Sequence, residues 1–315
     1  MTQYGASFSK APNLSRAVTA VCDEVAAQLG GAPPDLAFLF VSHAHAERFD
    51  DVASLICRQT RTRVLLGCTG ETIVGGHQEI ESGPALSLWS AVLPGAQIDP
   101  FHLRFSQTVD GVVGEGFPID MGERRADVRA VFVLGEAYSS VPSSIIDRFA
   151  DELPGVPLMG GMASGDAGPG SNRLFLNGEC VRSGAVGAVV SGGPAIRSVV
   201  SQGCRPIGTT YLVTKADQNV VYELGSVPTM QRLRDLFATM NARDQRLMQG
   251  GLHLGIAMNE YQATFGRGDF LISNVIGAQP DDGAIAIGNV VRTGQTVQFH
   301  VRDAEAADED LVALL

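Results

Sequence analysis

Val64-Leu65-Leu66-Gly67-Cys68-Thr69-Gly70-Glu71 and, farther along, Pro157-Leu158-Met159-Gly160-Gly161-Met162-Ala163-Ser164-Gly165 are built alike. Each is an apolar run cut by glycine and followed at once by small polar residues. Sliding the chain by 93 positions lays residues 35–68 on 128–161 without a gap. Phe38 then falls on Val131, Ile56 on Phe149 and Gly67 on Gly160. Self-similarity at a fixed offset sets the architecture, so it is read before any single motif. Two similar units follow from it, each closing a buried strand in a glycine-rich polar turn.

Upstream of the first stretch, Leu36–Val41 is apolar throughout, which predicts a strand covered on both faces, as in α/β sheets. Leu14, Ala17, Val18, Val21, Cys22, Val25 and Leu29 recur at helical spacing, with Asn13 as N-cap and Gly30-Gly31 as stop. Phe49–Gln59 predicts a second helix, leading to a strand at Arg63–Leu66. Past Gly70, Glu79–Gly83 and Ala85–Ser90 read as hairpin arms with Trp89 packed beneath. A return strand near Gln97–Leu103 and a glycine-rich connection over 111–122 follow. The second unit repeats the plan: strand Ala130–Leu134, helix Ser143–Leu153, strand Val156–Met159, then a hairpin on Asn177-Gly178. Ser183–Val190 mirrors Ser82–Leu86.

Beyond Gly192 a third section begins, with strands expected at Ser198–Val200, Tyr211–Thr214 and Val220–Leu224. The corner between the last two suggests a Lys215–Asp217 ion pair. A helix over Thr229–Met240 precedes a meander of Phe270–Ile276, Ala284–Ile287 and Thr296–Val301. Asp308-Glu309-Asp310 ahead of an apolar run reads as a helix start, so this section is expected to be cut short. The fold class is therefore α/β with mixed sheets: two similar βαβ-hairpin units, then a smaller meander-rich C-terminal section. The domains are expected at 1–195 and 196–315.

Composition narrows the function. A formal net charge of −11, with Arg124-Arg125 the only adjacent basic pair, argues against nucleic acid and against an anionic membrane surface. Five widely spaced cysteines without a Cys-x-x-Cys argue against a disulfide framework or structural zinc, and a reducing cytoplasm fits them best. His77, His102, His253 and His300 look isolated, so neither a metal nor a cofactor is expected. Met159, Met162, Met230, Met240 and Met248 read as packing.

Two kinds of site remain. Gly67, Cys68, Thr69, Gly70, Glu71, Gly160, Gly161, Ser164 and Gly165 would offer backbone amides and hydroxyls to a small anion at the carboxyl ends of strands. The bland alternative is that the glycines only permit sharp turns. Cys204 and Arg205, in a Gly-Cys-Arg-Pro corner, would add a cation that pairs with a carboxylate, unless Arg205 simply makes a salt bridge. The rival is a Cys-dependent hydrolase or transferase with Cys68 as nucleophile and His43 or His45 as base. Against it stands the possibility that Cys68 merely fills a tight turn. A non-catalytic interaction scaffold is the third possibility.

Several stretches resemble the FIST family, whose paired N- and C-terminal domains occur in bacterial signal-transduction proteins and in some eukaryotic F-box proteins. They are Leu65–Glu71 with Leu93-Pro94-Gly95, Leu153–Gly165, Ser201–Gly208, Gly266–Ile272 and Gly294–Asp303. The resemblance implies a sensory module that binds small ligands such as amino acids, has no established catalysis, and acts alone or through a signalling partner. It also implies a further strand–glycine–helix section beyond Leu315.

Overall fold

The structure, a computed structural model, describes residues 1–315 apart from 110, 120, 123, 124, 167, 263, 267 and 280, and of residue 125 the backbone only. Arg124 and the side chain of its basic neighbour, and Arg267 of the Gly266–Ile272 stretch, lie outside the described residues. The chain divides into two units, Met1–Ser198 and Val199–Leu315.

The first unit begins with β1 (Gln3–Ser9), α1 (Leu14–Gln28), β2 (Leu36–Ser42), α2 (Phe49–Thr60) and β3 (Val64–Gly70). Asn13 caps α1 by accepting the Arg16 N–H at 3.0 Å. The short hairpin β4 (Ile73–Gly75) and β5 (Gln78–Ile80) is followed by β6 (Leu86–Val92), β7 (Ala96–Thr108) and β8 (Gly111–Glu115). Then come β9 (Val128–Gly135), α3 (Pro142–Glu152), β10 (Leu158–Met162), the hairpin β11 (Leu174–Leu176) and β12 (Glu179–Val181), and β13 (Ala185–Gly192). One mixed sheet runs β1-β6-β2-β3-β11-β12 and a second runs β10-β9-β13-β7-β8.

Both sheets have the same centre: a parallel pair joined through a helix, flanked by an antiparallel strand. In the first, β2 is parallel to β3 and antiparallel to β6; in the second, β9 is parallel to β10 and antiparallel to β13. The inner faces of the sheets meet, with Leu36, Leu66 and Cys68 packing in one cluster with Leu134, Val186 and Val190. Phe38 and Phe132 stack edge-on at 5.1 Å within this layer. Outer faces are covered by α1 and α2 on one side and by α3 on the other. The unbroken apolar run of β2 follows: Leu39 and Val41 meet helices, while Phe38 and Phe40 meet the other sheet.

Several expectations are corrected. Of the segment 85–90, residues 86–90 form no hairpin arm but belong to β6, a central strand between β1 and β2. Trp89 packs between Tyr4 and Phe38 on the inner face, not under a hairpin. The connection over 111–122 contains β8, which pairs with the far end of β7. The Asn177-Gly178 hairpin forms, with Asn177 in the left-handed region (φ 53°), but it adds to the edge of the first sheet.

The second unit contains β14 (Cys204–Asp217), β15 (Val220–Leu224), β16 (Val227–Pro228), α4 (Thr229–Thr239), α5 (Ala242–Gly250), β17 (Leu252–Ala257), β18 (Phe270–Gln279), β19 (Ala284–Ile287), β20 (Thr296–Arg302) and α6 (Ala304–Leu314). Its strands run β14-β20-β17-β18-β19-β15-β16, and β14 also pairs with β15. The meander thus closes on itself, which removes the open edges that such a sheet would present. Leu254, Ile256, Ile285, Val297 and Phe299 fill its core. Residues 198–200 form no strand, and Lys215 lies over the Tyr222 ring at 5.3 Å with no Asp217 ion pair among the described residues. The last helix starts at Ala304, before the acidic run, because Asp303 accepts the Glu305 N–H as its cap.

Candidate functional site

Gly67 and Gly160 do not end their strands. β3 continues through Gly70 because β2 and β11 pair with it on both sides, and the Thr69 N–H donates to the Arg173 carbonyl at 2.9 Å. β10 likewise continues to Met162. The glycines allow close approach rather than a turn. A Cβ on Gly67 would lie 2.2 Å from the Leu39 carbonyl oxygen, and one on Gly160 would lie 1.7 Å from that of Val133.

Where the two parallel pairs end, their inner faces part around a cleft of about 520 Å³. Phe38 and Phe40 of β2 and Phe132 of β9 form its aromatic part, and Met159 and Met162 of β10 line it beside Phe132. Ile73 and Val74 of β4 and Val133 and Leu134 of β9 add to the apolar lining. Cys68, Thr69, Gly70, Thr72, Gly160, Gly161 and Ser164 supply the small and polar part. Among the described residues no Lys, Arg, His, Asp or Glu belongs to the lining.

A hydrogen-bonded seam holds the polar end together. The Ser164 N–H donates to the Thr69 carbonyl at 3.1 Å, and the Glu71 N–H donates to Ser164 Oγ at 3.3 Å. Thr69 Oγ1 donates to Asn172 Oδ1 and accepts the Arg173 N–H, both at 3.1 Å. That hydroxyl is buried and engaged twice, so its work is to anchor the loop before β11. Gly165 is needed because a Cβ there would lie 2.7 Å from that of Thr69. Of the first unit's sequence candidates, Cys68, Thr69, Gly70, Gly160, Gly161 and Ser164 line the cleft. Gly67, Glu71 and Gly165 shape it without facing it.

Cys68 is 6% exposed, and burial pushes its thiol up to about 12. Burial likewise raises Cys22, Cys57, Cys180 and Cys204. His43 is exposed, 3.9 Å from Asp166, while His45 is buried and its pKa is lowered by that burial. No hydrogen bond joins either to Cys68 among the described residues. A nucleophilic thiolate needs a lowered pKa and a nearby base, and this geometry supplies neither. Under native conditions at pH 7 all five thiols should react slowly with a disulfide reagent, Cys22 and Cys68 only on unfolding. Selective, fast labelling of Cys68 in the folded protein would revive the nucleophile reading.

Phe38, Phe40, Phe132, Met159 and Met162 were not among the sequence candidates. Their signal was alternation: Phe38 and Phe40 stand two and four residues along β2 from Leu36, on the inner face. Among the described residues no cluster of three metal-ligating side chains occurs.

Residues 35–226 match the FIST N domain and residues 230–315 match the FIST C domain. The chain belongs to the FIST family. FIST domains are associated with sensing in signal transduction. The FIST N match runs past the structural division at Ser198 and takes in β14 and β15. An uncharacterized protein of Mycobacterium tuberculosis (strain ATCC 25618 / H37Rv) is 39% identical over 309 residues, covering 98% of this chain and 79% of its own length. An uncharacterized protein of Mycobacterium bovis (strain ATCC BAA-935 / AF2122/97) is 36% identical over 309 residues, covering 98% and 78%.

In this FIST chain the remaining two candidates lie in the second unit. Arg205 donates to Asp244 Oδ1 at 2.6 Å and to Asp303 Oδ2 at 3.0 Å, and Arg243 also reaches Asp303 at 3.0 Å. Burial pushes the Asp303 carboxyl up, but the Arg205 hydrogen bond, the Ala306 N–H and the two guanidinium charges together hold it below its usual value. The Arg205 charge is thus balanced inside its own unit, by the salt-bridge alternative weighed for it. Cys204, beside it, is half-buried.

Proposed function

We propose that this FIST chain is a cytoplasmic small-ligand sensor whose ligand enters the cleft between the two sheets of its first unit. The observation that carries the reading is the lining itself: three phenylalanines and two methionines face a narrow polar end built from Ser164, Thr72 and glycine backbone. Small-molecule sites are typically concave and apolar with a few placed polar groups, and open α/β sheets favour the carboxyl ends of their strands.

The same lining refines the ligand. With no cation among its described lining residues, the cleft suits a compact polyanion poorly. An amino acid or keto acid with an aromatic or long aliphatic side chain suits it better, its head on neutral donors and its side chain among Phe38, Phe132 and Met162. Ser164 Oγ accepts from Glu71 and keeps its own proton for a ligand oxygen. The five unpaired cysteines agree with a reducing compartment, and no helix among the described residues is long and apolar enough to cross a membrane. A signalling protein would receive the output.

A thermal-shift panel of amino acids and keto acids tests this. An aromatic or long aliphatic member should raise the Tm, and Ser164→Ala should weaken it about tenfold, the loss of one hydrogen bond. A panel in which nothing stabilises, or in which only acidic members do, would overturn the ligand assignment.

A further inference from the structure

The second unit holds another cavity, of about 570 Å³, between the end of α5 and the strands β17, β18 and β20. Arg246 of α5 and Arg302 of β20 stand on it, together with His253 of β17 and Asn274 of β18. Among the described residues no carboxylate belongs to its lining. The neighbouring guanidiniums of Arg205 and Arg243 are held in ion pairs. The guanidiniums of Arg246 and Arg302 make no ion pair or hydrogen bond among the described residues.

His253 points to what such a site takes. It lines the cavity and is 6% exposed, a polar ring on an otherwise apolar strand. Leu252 and Leu254 belong to the apolar cluster that fills the unit, and strand alternation puts His253 on the other face. There it pairs across strands with Asn274 on one side and His300 on the other. An imidazole ring on a cavity flanked by two uncommitted guanidiniums offers a polar contact beside positive charge. Guanidinium forks match the planar or tetrahedral oxygens of carboxylates and phosphates.

We propose that this cavity binds an oxyanion-bearing small molecule, its carboxylate or phosphate held by Arg246, Arg302 and His253, with Asn274 as a neutral contact. Leu252, Val275 and Ile276 line the rest and accommodate an apolar body. Burial, then the charge of Arg302, lowers the His253 pKa, and hydrogen bonds with the Gly251 backbone and the Asn274 side chain counter part of this. The ring is therefore neutral at pH 7, and the positive charge of the site comes from the two guanidiniums. The site is separate from the first-unit cleft, so either can fail without the other.

Calorimetric titration of the full chain with inorganic phosphate and, separately, with acetate tests it, at constant ionic strength set with sodium chloride. Saturable binding of one oxyanion is expected, and the stronger arm names the class. Arg246→Gln and Arg302→Gln should each weaken it about tenfold, as expected for a charge-assisted contact. Both side chains are exposed, so their Tm in chloride should stay at the wild-type value. His253→Asn should weaken binding as well. No saturable heat with either probe, or equal affinity in both arginine variants, would overturn the proposal.

Discussion

Gly67→Ala is expected to destabilise the first unit by about 3 kcal/mol or more, the upper end of overpacking costs. The added methyl would sit 2.2 Å from the Leu39 carbonyl oxygen and 3.0 Å from the Leu39 Cβ. Relief by sliding is blocked, because β3 is paired with β2 in parallel and with β11 antiparallel. Leu39 itself is fully buried against α1 and α2, so it has nowhere to retreat. Gly161→Ala is the control: nothing lies within 4 Å of a Cβ there, and its cost should stay within about 0.5 kcal/mol. Urea denaturation of the two variants separates them. A Gly67→Ala midpoint equal to that of Gly161→Ala would show that β3 is looser than its pairing implies.

Thr69→Val keeps the shape of the side chain and removes the hydroxyl that joins the end of β3 to the loop before β11. Asn172 Oδ1 loses a donor and the Arg173 N–H loses its acceptor in a buried place. Unpaired buried polar groups cost about 1–3 kcal/mol each; Asn172 Oδ1 retains the Asp166 N–H, so the total should be about 2–3 kcal/mol. Ser164→Ala, at an exposed position, should cost under about 1 kcal/mol and act on ligand affinity instead. The two hydroxyls look alike in the sequence, and the geometry divides their roles. Equal losses of stability in the two variants, measured without ligand, would contradict that division.

Much of this arrangement was legible in the residues. The 93-residue echo carries both parallel pairs, the apolar run of Leu36–Val41 carries burial on two sides, and Asn13 and Asn177-Gly178 mark a cap and a corner. What stayed hidden was partner choice. The hairpin after β10 joins the sheet of the other half, and β7 joins the sheet of the later half. Three-residue strands such as Leu174–Leu176 carry no register signal that would reveal this. The closing of β14 onto β15 is hidden for the same reason, since a long strand with bulges looks like two short ones.

The candidate site shows the same limit. Glycine and small polar residues drew attention to the ends of β3 and β10, and six of those positions do face one cleft. Its aromatic lining was invisible because an apolar run reports burial without saying where two buried faces part. Likewise His253 and His300, 47 positions apart, look isolated until β17 and β20 set them side by side.

The most direct measurement of the central claim is calorimetric titration of Gly161→Trp against wild type, using the amino acid or keto acid that stabilises the protein most. An indole at this position enters open space on the cleft and should leave the fold intact while filling the site. The account predicts that Gly161→Trp keeps the wild-type Tm without ligand and loses the binding heat. Undiminished binding by a folded Gly161→Trp protein would place the ligand elsewhere and contradict the account.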